Sequence, residues 1–596
     1  MYVHYKNKRL ERALIVVNVL TAAVVMVSFA MLFGFDEPRF AAKILYAVQG
    51  ALLFVFIVEK IIRLFNAASK AEFWRANWLE VPLLLALAIA VFGAGRWFRT
   101  TDPAAVRHFA VGIYLVIQVV TKVCRTVVNL AATGRNPTKI LIASFLVLIV
   151  SGAIALCLPR ATAAEDISFV DAFFTATSAT CVTGLIVKDT GKDFSLMGKL
   201  IILTLIQLGG LGIVVFGAVF ALLLGQALSL RESVAMQDLL SARTLSQIGK
   251  MIAFIFVGTL FIEAAGAVSI FRMWDNVPDW QGNMHQQWFY SIFHSISAFC
   301  NAGFSLFSNS FIGYNKCWGV YLVICPLIIL GGLGFGVLYD ISNITTERVR
   351  RFFKKLFGRH HLFSMEAPRR MRLQSKIVLS VSALLIVLGM LAVMLFERYA
   401  APPHAGNPNP SGILGALFQS ITARTAGFNT IDVSAMSPSS RFVLILLMFI
   451  GGSPGSTAGG IKTVTLAVVV MTMIAALRKR SEVEMFKRSV RIVVVGRAIT
   501  VTLLFVAVLF IATLALSITE NSNGFTMSDI MFEAGSALGT VGLTTGITPS
   551  LTTAGKLIII VVMLIGRLGP LTLLAALTFN LKPVRYSYPD EAIIVG

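Results

Sequence analysis

Four short stretches of this chain end in a glycine followed by a large apolar residue. They are "FTATSATCVTGL" (174–185), "FHSISAFCNAGF" (293–304), "LFQSITARTAGF" (417–428) and "FEAGSALGTVGL" (532–543). Aligned on Gly184, Gly303, Gly427 and Gly542, each carries an aromatic residue or Leu ten positions upstream. Three place Ser six positions upstream (178, 297 and 536); the third has Ile421 there, flanked by Ser420 and Thr422. The chemistry such turns can do is ion coordination. Non-helical backbone at membrane depth is tolerated only when buried in protein or facing a water-filled cavity. Four such turns meeting on one axis would present rings of carbonyls able to replace the hydration shell of a monovalent cation. Glycine suits that duty because it reaches conformations barred to residues with a Cβ and lets backbone approach closely. The dipole of each preceding half-helix adds a modest favourable term for a cation at its C-terminus. Ordinary surface segments with glycine caps would account for one copy. They do not account for four, spaced 119, 124 and 115 residues apart.

The elements that must carry these turns are hydrophobic. Of 596 residues, 57% are hydrophobic and 13% charged, whereas a soluble chain has roughly a quarter of its residues charged. Spans are expected near 12–34, 41–65, 79–96 and 107–130, then near 138–158, 198–225, 248–272, 317–340, 375–398, 441–477, 493–518 and 555–580. Pro137, after the polar joint "AATGRNPTK", is placed to start a helix. From there the long spans come in pairs, each pair separated by one of the short glycine-ended segments, which are too short to cross a bilayer. The expected fold is an all-α polytopic membrane protein with an N-terminal four-helix membrane extension (1–136) and four repeats of about 137–230, 245–345, 370–480 and 490–582.

The net charge of +22 is not a nucleic-acid signal. Ten Lys/Arg against two Glu lie in 346–376, and a second basic cluster spans 478–491; both fall between apolar spans, as expected of cytoplasmic loops. The six cysteines (124, 157, 181, 300, 317, 325) contain no CxxC pair and read as packing residues. The first apolar run lacks a small-residue cleavage site and reads as a retained helix. No HExxH, GxSxG or Walker A motif is present and the seven His do not cluster in a span, so an enzyme is not expected.

Two interruptions complete the picture. "GGSPGSTAGG" (451–460) places five glycines and a proline inside a long apolar segment, where a broken helix is expected. Arg567, in "LIGRLGPL", is an ionisable residue within the last span, a position that usually faces a cavity. A packing kink and a structural arginine bonded to helix-end carbonyls are the alternatives. Glu263 and Glu397 are expected to pair near an interface rather than to line a pore.

Through "SATCVTGL", "SAFCNAGF", "ITARTAGFNT", "GTVGLTTG" and "GGSPGSTAGGIKT", residues 137–596 resemble the membrane subunit of Trk/Ktr-type potassium uptake systems, in the superfamily of K⁺ transporters. The resemblance implies four covalently joined, K⁺-channel-like repeats of helix, P-loop and helix, pseudo-symmetric around one pore. It carries Gly184, Gly303, Gly427 and Gly542 over as the selectivity filter that binds K⁺ through carbonyls. The filter segments would be Cys181, Val182 and Thr183; Cys300, Asn301 and Ala302; Arg424, Thr425 and Ala426; and Gly539, Thr540 and Val541. A serine in place of the first glycine would have weakened the case for K⁺ over Na⁺. The loop Gly451, Gly452, Ser453, Pro454, Gly455, Ser456, Thr457, Ala458, Gly459 and Gly460, followed by Lys462, would be a gate beneath the filter, and Arg567 would meet it.

The resemblance further implies a homodimer in the bacterial inner (cytoplasmic) membrane, controlled by a cytosolic ring of nucleotide-binding regulatory subunits. No cofactor is expected in this chain. A nucleotide (ATP/ADP or NAD) would act only through that partner, and the basic loops are where it would dock. A K⁺-binding subunit of an ATP-driven pump shares the four-repeat plan, and a Na⁺-permeable or Na⁺-coupled transporter of the same fold is the other alternative. In the extension, "FVFIVEKIIRLFNAASKAEFWRANWLEVP" (54–82) resembles voltage-sensor helices through Glu59, Arg63 and the Asn77–Glu80 pair. The fourth helix carries only Arg107, Lys122 and Arg125, too few and too scattered for steep voltage sensing, so a structural or assembly role is expected. Twelve spans and the Lys/Arg bias put both termini and the 346–376 loop inside. Single-cysteine labelling of Arg350→Cys checks this, with modification expected only by a reagent that has crossed the membrane.

Overall fold

The computed structural model describes residues 6–35, 40–76, 80–93, 107–108, 110–115, 118, 137–163, 166–212, 245–274, 284–356, 370–400, 412–480 and 482–570. Apart from one short hairpin, Val483–Met485 with Arg488–Val490, these residues are helical or irregular. Among the described residues five helices are long and apolar enough to cross a membrane: Arg9–Phe33, Ala42–Asn66, Ile248–Trp274, Leu373–Tyr399 and Ile492–Thr519. A bent pair, Val320–Leu333 and Phe335–Phe353, makes a sixth candidate, and shorter apolar helices fill intervening positions, Ile142–Leu156 and Leu196–Leu211 among them. The chain is a multi-pass membrane protein. Asn77, Lys122, Arg125, Cys124 and the C-terminal segment 571–596 lie outside the described residues.

From Pro137, where a helix does begin, one order of elements recurs. Pro137–Leu156 precedes the short Phe169–Thr180 and then Leu196–Leu211. Leu245–Ile270 precedes Met284–Phe299 and the bent helix; Leu373–Ala400 precedes Ile413–Thr422 and Pro438–Phe449; Ile492–Thr519 precedes Met527–Gly539 and Thr553–Leu568. Side chains set the first turns. Ser168 caps the first short helix by accepting from Asp171 N, and Thr526 caps the fourth by accepting from Asp529 N. Such caps satisfy amide groups that a helix start leaves open. Each short helix buries a phenylalanine completely, Phe174, Phe293, Phe418 and Phe532, and the second also buries Phe299.

Three spans expected to be continuous helices are not. The one near 198–225 breaks after Leu211, where Gly212 has φ +81°. The span near 317–340 bends by 104° at Gly334, whose φ of +87° no helix can continue. The last span stops at Leu568, capped by Gly569 at φ +84°. The cause is a second repeated motif: "LGGLG" at 208–212 and 330–334, "IGGSPG" at 450–455 and "IGRLG" at 565–569. Its first glycine takes the same place in three repeats. A Cβ at Gly209, Gly331 or Gly566 would strike the carbonyl of Thr180, Phe299 or Leu538, in each case the residue four before the Gly184, Gly303 or Gly542 turn. Backbone-to-backbone contact between the short helix and the following helix therefore fixes the depth of every turn but the third.

Replacing Gly331 by Ala should cost about 1–3 kcal/mol, because neither backbone can move aside cheaply. Gly249→Ala, where no heavy atom lies within 4 Å of the added Cβ, is the control. Thermal unfolding in detergent should show a clear drop for the first and none for the second.

Candidate ion-filter site

Each short helix ends in the same unusual backbone. Two residues before the glycine, φ is positive at Val182 (57°), Asn301 (58°), Thr425 (80°) and Thr540 (51°). It is positive again at Gly184 (91°), Gly303 (70°), Gly427 (81°) and Gly542 (91°), while the residue between stays on the ordinary side. Positive φ in β-branched Val and Thr is uncommon and costs energy. Four repetitions of it mark a constraint common to all four turns. A backbone that alternates in handedness points successive peptide groups to one side, so the carbonyls of such a turn can line one face.

The four glycines close a ring. A Cβ on Gly184 would meet the carbonyl oxygen of Ala302, one on Gly303 that of Ala426, one on Gly427 that of Val541, and one on Gly542 that of Thr183. Every one of these approaches is 2.8 Å or less, so no side chain fits at any corner. Each corner touches the carbonyl that precedes the next glycine, and the fourth returns to the first.

A hydroxyl pins each turn to its helix. Ser178 Oγ and Ser536 Oγ accept from Gly184 N and Gly542 N, both at 3.1 Å, and Ser297 Oγ donates to Phe304 O at 2.8 Å. The third turn differs by one residue. Thr422 Oγ1 donates to Phe428 O at 2.6 Å, and Ala426 N bonds Thr422 O, whereas Thr183, Ala302 and Val541 reach back one residue further, to Ser178, Ser297 and Ser536. Alignment on glycine therefore misplaced the third helix: its counterpart of the serine is Thr422, not Ile421, and its aromatic is Phe418, not Leu417. Sequence alone could not separate the two registers because Ser420 and Thr422 flank Ile421.

The residues around the ring fit a bare cation. The hydroxyls of Thr183, Thr425 and Thr540 are buried and without a partner among the described residues, an arrangement that is costly unless a ligand or water completes it. No cluster of three or more His, Cys, Asp or Glu able to hold a metal occurs among the described residues. Backbone and hydroxyl oxygens are what the site offers, the donor set for a hard monovalent ion. Of the flanking residues, Cys181 and Cys300 are buried and free, and Gly539 stands against Met448 O. Arg424 does not face the ring; its guanidinium bonds Ser382 Oγ (3.1 Å) on the supporting helix.

Residues 451–460 are non-helical, as their glycines and proline require. The segment folds back on itself through a parallel bridge of Ile450 with Ile461, and Gly451 presses on Gly459 O. It reaches the neighbouring repeat through Ser453 N to Gly332 O (3.0 Å), Thr457 N to Gly331 O (3.4 Å) and Phe335 N to Gly455 O (2.9 Å). It also reaches the second and fourth turns: a Cβ on Gly459 would strike Thr540, and Thr457 Oγ1 donates to Phe299 O at 3.3 Å. Pro454 and Ser456 form its turn, where Ser456 Oγ donates to Ser453 O at 2.7 Å. Lys462 Nζ donates back to Ala458 O at 2.7 Å.

Arg567 bolts this loop down. Its guanidinium donates to Thr457 O, to Gly209 O and, at 3.4 Å, to Gly210 O. It occupies the position held by Gly210, Gly332 and Gly452 in the other copies of the motif. One side chain thus joins the loop, the end of Leu196–Leu211 and the last helix. The readings of Arg567 as a cap on helix-end carbonyls and as a partner of the loop describe a single contact.

Glu263 and Glu397 do not pair with cations among the described residues. Glu397 Oε1 accepts from Ser437 N and Ser437 Oγ, both at 3.0 Å, at the start of Pro438–Phe449. Glu263 is bonded to Gln207 Nε2 at 3.1 Å and lies 3.9 Å from Cys300 Sγ, behind the second turn. The glutamates answer polar groups of neighbouring helices, which sequence spacing does not reveal.

The profile of the TrkH family, described as cation transport protein, matches residues 105–583. Ktr system potassium uptake protein B of Bacillus subtilis (strain 168) is 38% identical over 462 residues, covering 77% of this chain and 97% of the relative. Potassium/sodium uptake protein NtpJ of Enterococcus hirae is 35% identical over 467 residues, with shares of 77% and 97%. The crystal structure of the potassium transporter TrkH from Vibrio parahaemolyticus superposes with a TM-score of 0.56 at 20% identity, over 85% of this chain and 99% of that one.

Removing the bolt should loosen the loop. Arg567→Ala strips three carbonyls of their donor, a change of about 1–3 kcal/mol, and cation flux in liposomes should rise severalfold. A deletion within 453–458 should do the same. If both leave flux untouched in folded protein, the loop is a packing kink and Arg567 only a cap.

Proposed function

This chain belongs to the TrkH family of cation transport proteins, and we propose from that premise that it carries K⁺ into the cell through a gated pore within the single chain. The four units, about 137–230, 245–345, 370–480 and 490–582, act as pseudo-symmetric repeats around that pore. Carbonyls of residues 181–184, 300–303, 424–427 and 539–542 replace the hydration shell of K⁺, driven by the membrane potential. The observation that carries this reading is the closed ring of four glycines, each corner lying on the carbonyl before the next.

In this reading residues 451–460 are the gate, Lys462 steadies it from below and Arg567 holds it shut. A segment with so little helical stability of its own can be moved by roughly 1–3 kcal/mol of coupling from a partner. Relatives are named as parts of a Ktr system, which supports a cytosolic regulatory partner for this chain as well. Nucleotide would act there, with no cofactor in this chain, and the basic loops 346–376 and 478–491 are the proposed docking faces. A homodimer in the bacterial cytoplasmic membrane with both termini inside completes the proposal, and the N-terminal extension serves assembly. One relative is named for both potassium and sodium, which favours Na⁺ permeability or coupling as the second reading.

Gly184→Ser distinguishes them. The substitution puts a side chain at φ +91° against Ala302 O, with strain on the order of 1–3 kcal/mol. The K⁺/Na⁺ permeability ratio, read as a reversal potential in liposomes with mixed ions, should fall roughly tenfold by that strain. A ratio near one in the unmodified chain favours the sodium reading. An unshifted ratio in the variant removes Gly184 from the filter.

A further inference from the structure

Three residues before the pinning hydroxyl of each short helix stands a polar side chain: Thr175, His294, Gln419 and Glu533. All four are buried, the last three completely. In the second and fourth repeats, at opposite corners of the ring, that side chain reaches across to the strand leaving the filter glycine. His294 Nε2 accepts from Leu306 N at 3.2 Å and lies 3.2 Å from Ser305 Oγ. Because Nε2 accepts, the ring proton sits on Nδ1 and is donated to Tyr290 O at 2.8 Å. Glu533 Oε2 accepts from Thr544 Oγ1 at 3.0 Å, and Oε1 accepts from Thr548 Oγ1. Ser305 and Thr544 each lie two residues beyond their glycine, so two chemically different side chains make the same connection.

The other two corners lean on the second. Phe311 N donates to the carbonyl of Asn429, two residues beyond Gly427, at 3.0 Å, and Asn429 N donates to Ser310 Oγ at 3.2 Å. In the first repeat, Gly191 is packed against Leu306 O so closely that no Cβ fits. Among the described residues the Thr175 side chain bonds only Asp171 O, in its own helix, and the Gln419 side chain has no partner. The strand held by His294 therefore supports its neighbours on both sides, while Glu533 holds the remaining corner.

We propose that His294 and Glu533 are a matched pair of positioning residues, which fix the strands beyond the filter glycines at two opposite corners and thereby set K⁺ against Na⁺ discrimination. They touch no ion. This inference rests on the filter reading above. A filter that tells two cations apart by the number and placement of its carbonyls depends on what holds those carbonyls still.

The test is the reversal potential of the full-length protein in liposomes with mixed K⁺ and Na⁺. His294→Phe keeps the ring among its aromatic neighbours and removes the acceptor; Glu533→Leu removes both acceptors. Each should lower the K⁺/Na⁺ permeability ratio by roughly fivefold, the scale of one lost hydrogen bond. Glu533→Gln can still bond both hydroxyls, since these can turn to accept, and should stay close to the parent. Thr544→Val breaks one of the two Glu533 bonds from its less buried end and should lower the ratio in the same direction even if Glu533→Leu folds poorly. Parent-like ratios in His294→Phe and Thr544→Val would overturn the proposal. So would a Glu533→Gln ratio as low as that of Glu533→Leu, because charge rather than position would then matter. If Gly184→Ser is also silent, the filter reading fails with it; if Gly184→Ser alone is active, only the pairing fails.

Discussion

Backbone that stops being helical inside a membrane must find partners for its peptide groups, and this constraint organises the structure. Four half-helices end at depth, and each leaves carbonyls that no further turn can satisfy. The chain answers with one local solution used four times. A residue at positive φ, one at negative φ and a glycine at positive φ turn the peptide groups to one side, and a Ser or Thr hydroxyl ties the turn to its helix. Everything nearby serves that solution. The buried phenylalanines seat the half-helices, and Gly209, Gly331 and Gly566 let three of the following helices press against half-helix carbonyls. An unsatisfied carbonyl at this depth costs several kcal/mol. The same carbonyl aimed at a dehydrated cation is a ligand.

The repeats are alike where the ring needs likeness and unlike around the loop. The third repeat has the shorter turn, and its copy of the glycine motif runs on into 451–460 instead of meeting the half-helix. The fourth repeat has Arg567 where the others carry glycine. These two departures are complementary, since Arg567 donates to Thr457 O within the loop. It also donates to Gly209 O, on the helix of the first repeat. Glycine at that position could not have joined them. Only a long side chain with a planar fork of donors reaches two backbones at once.

Much of this was legible in the sequence, for reasons that differ by residue. The four glycines announced themselves because only glycine tolerates the ring's close approaches, so its type and spacing survive together. The loop was legible because five glycines and a proline cannot remain helical. The third turn was misaligned because a one-residue shortening hides between Ser420 and Thr422, either of which could donate the bond. The bend at Gly334 was missed because "LGGLG" is as apolar as the helix around it, and glycine in a membrane helix commonly packs without breaking it. The partners of Glu263 and Glu397, Gln207 and Ser437, could not be named from the sequence because they lie 56 and 40 residues away. Nothing in local spacing links them.

The charges of the extension sit in a buried network that their number alone does not reveal. Glu59 is buried and paired with Arg63 at 2.5 Å, and Arg63 also meets Glu11 of the first helix at 3.2 Å. Asn18, again on the first helix, donates to Glu59 at 2.8 Å. Moving Arg63 through the membrane would break this network, and breaking a buried pair costs about 3–5 kcal/mol. A potential of 100 mV supplies roughly 2.3 kcal/mol per charge carried fully across. The network therefore holds against the field and fastens the first two helices together. The end of the first helix in turn meets the start of the conserved order of elements, where Arg160 N donates to Gly34 O at 3.1 Å and Gly34 packs against Leu158. The first two helices are thus tied to each other by this network and, through that joint, to the repeat that follows.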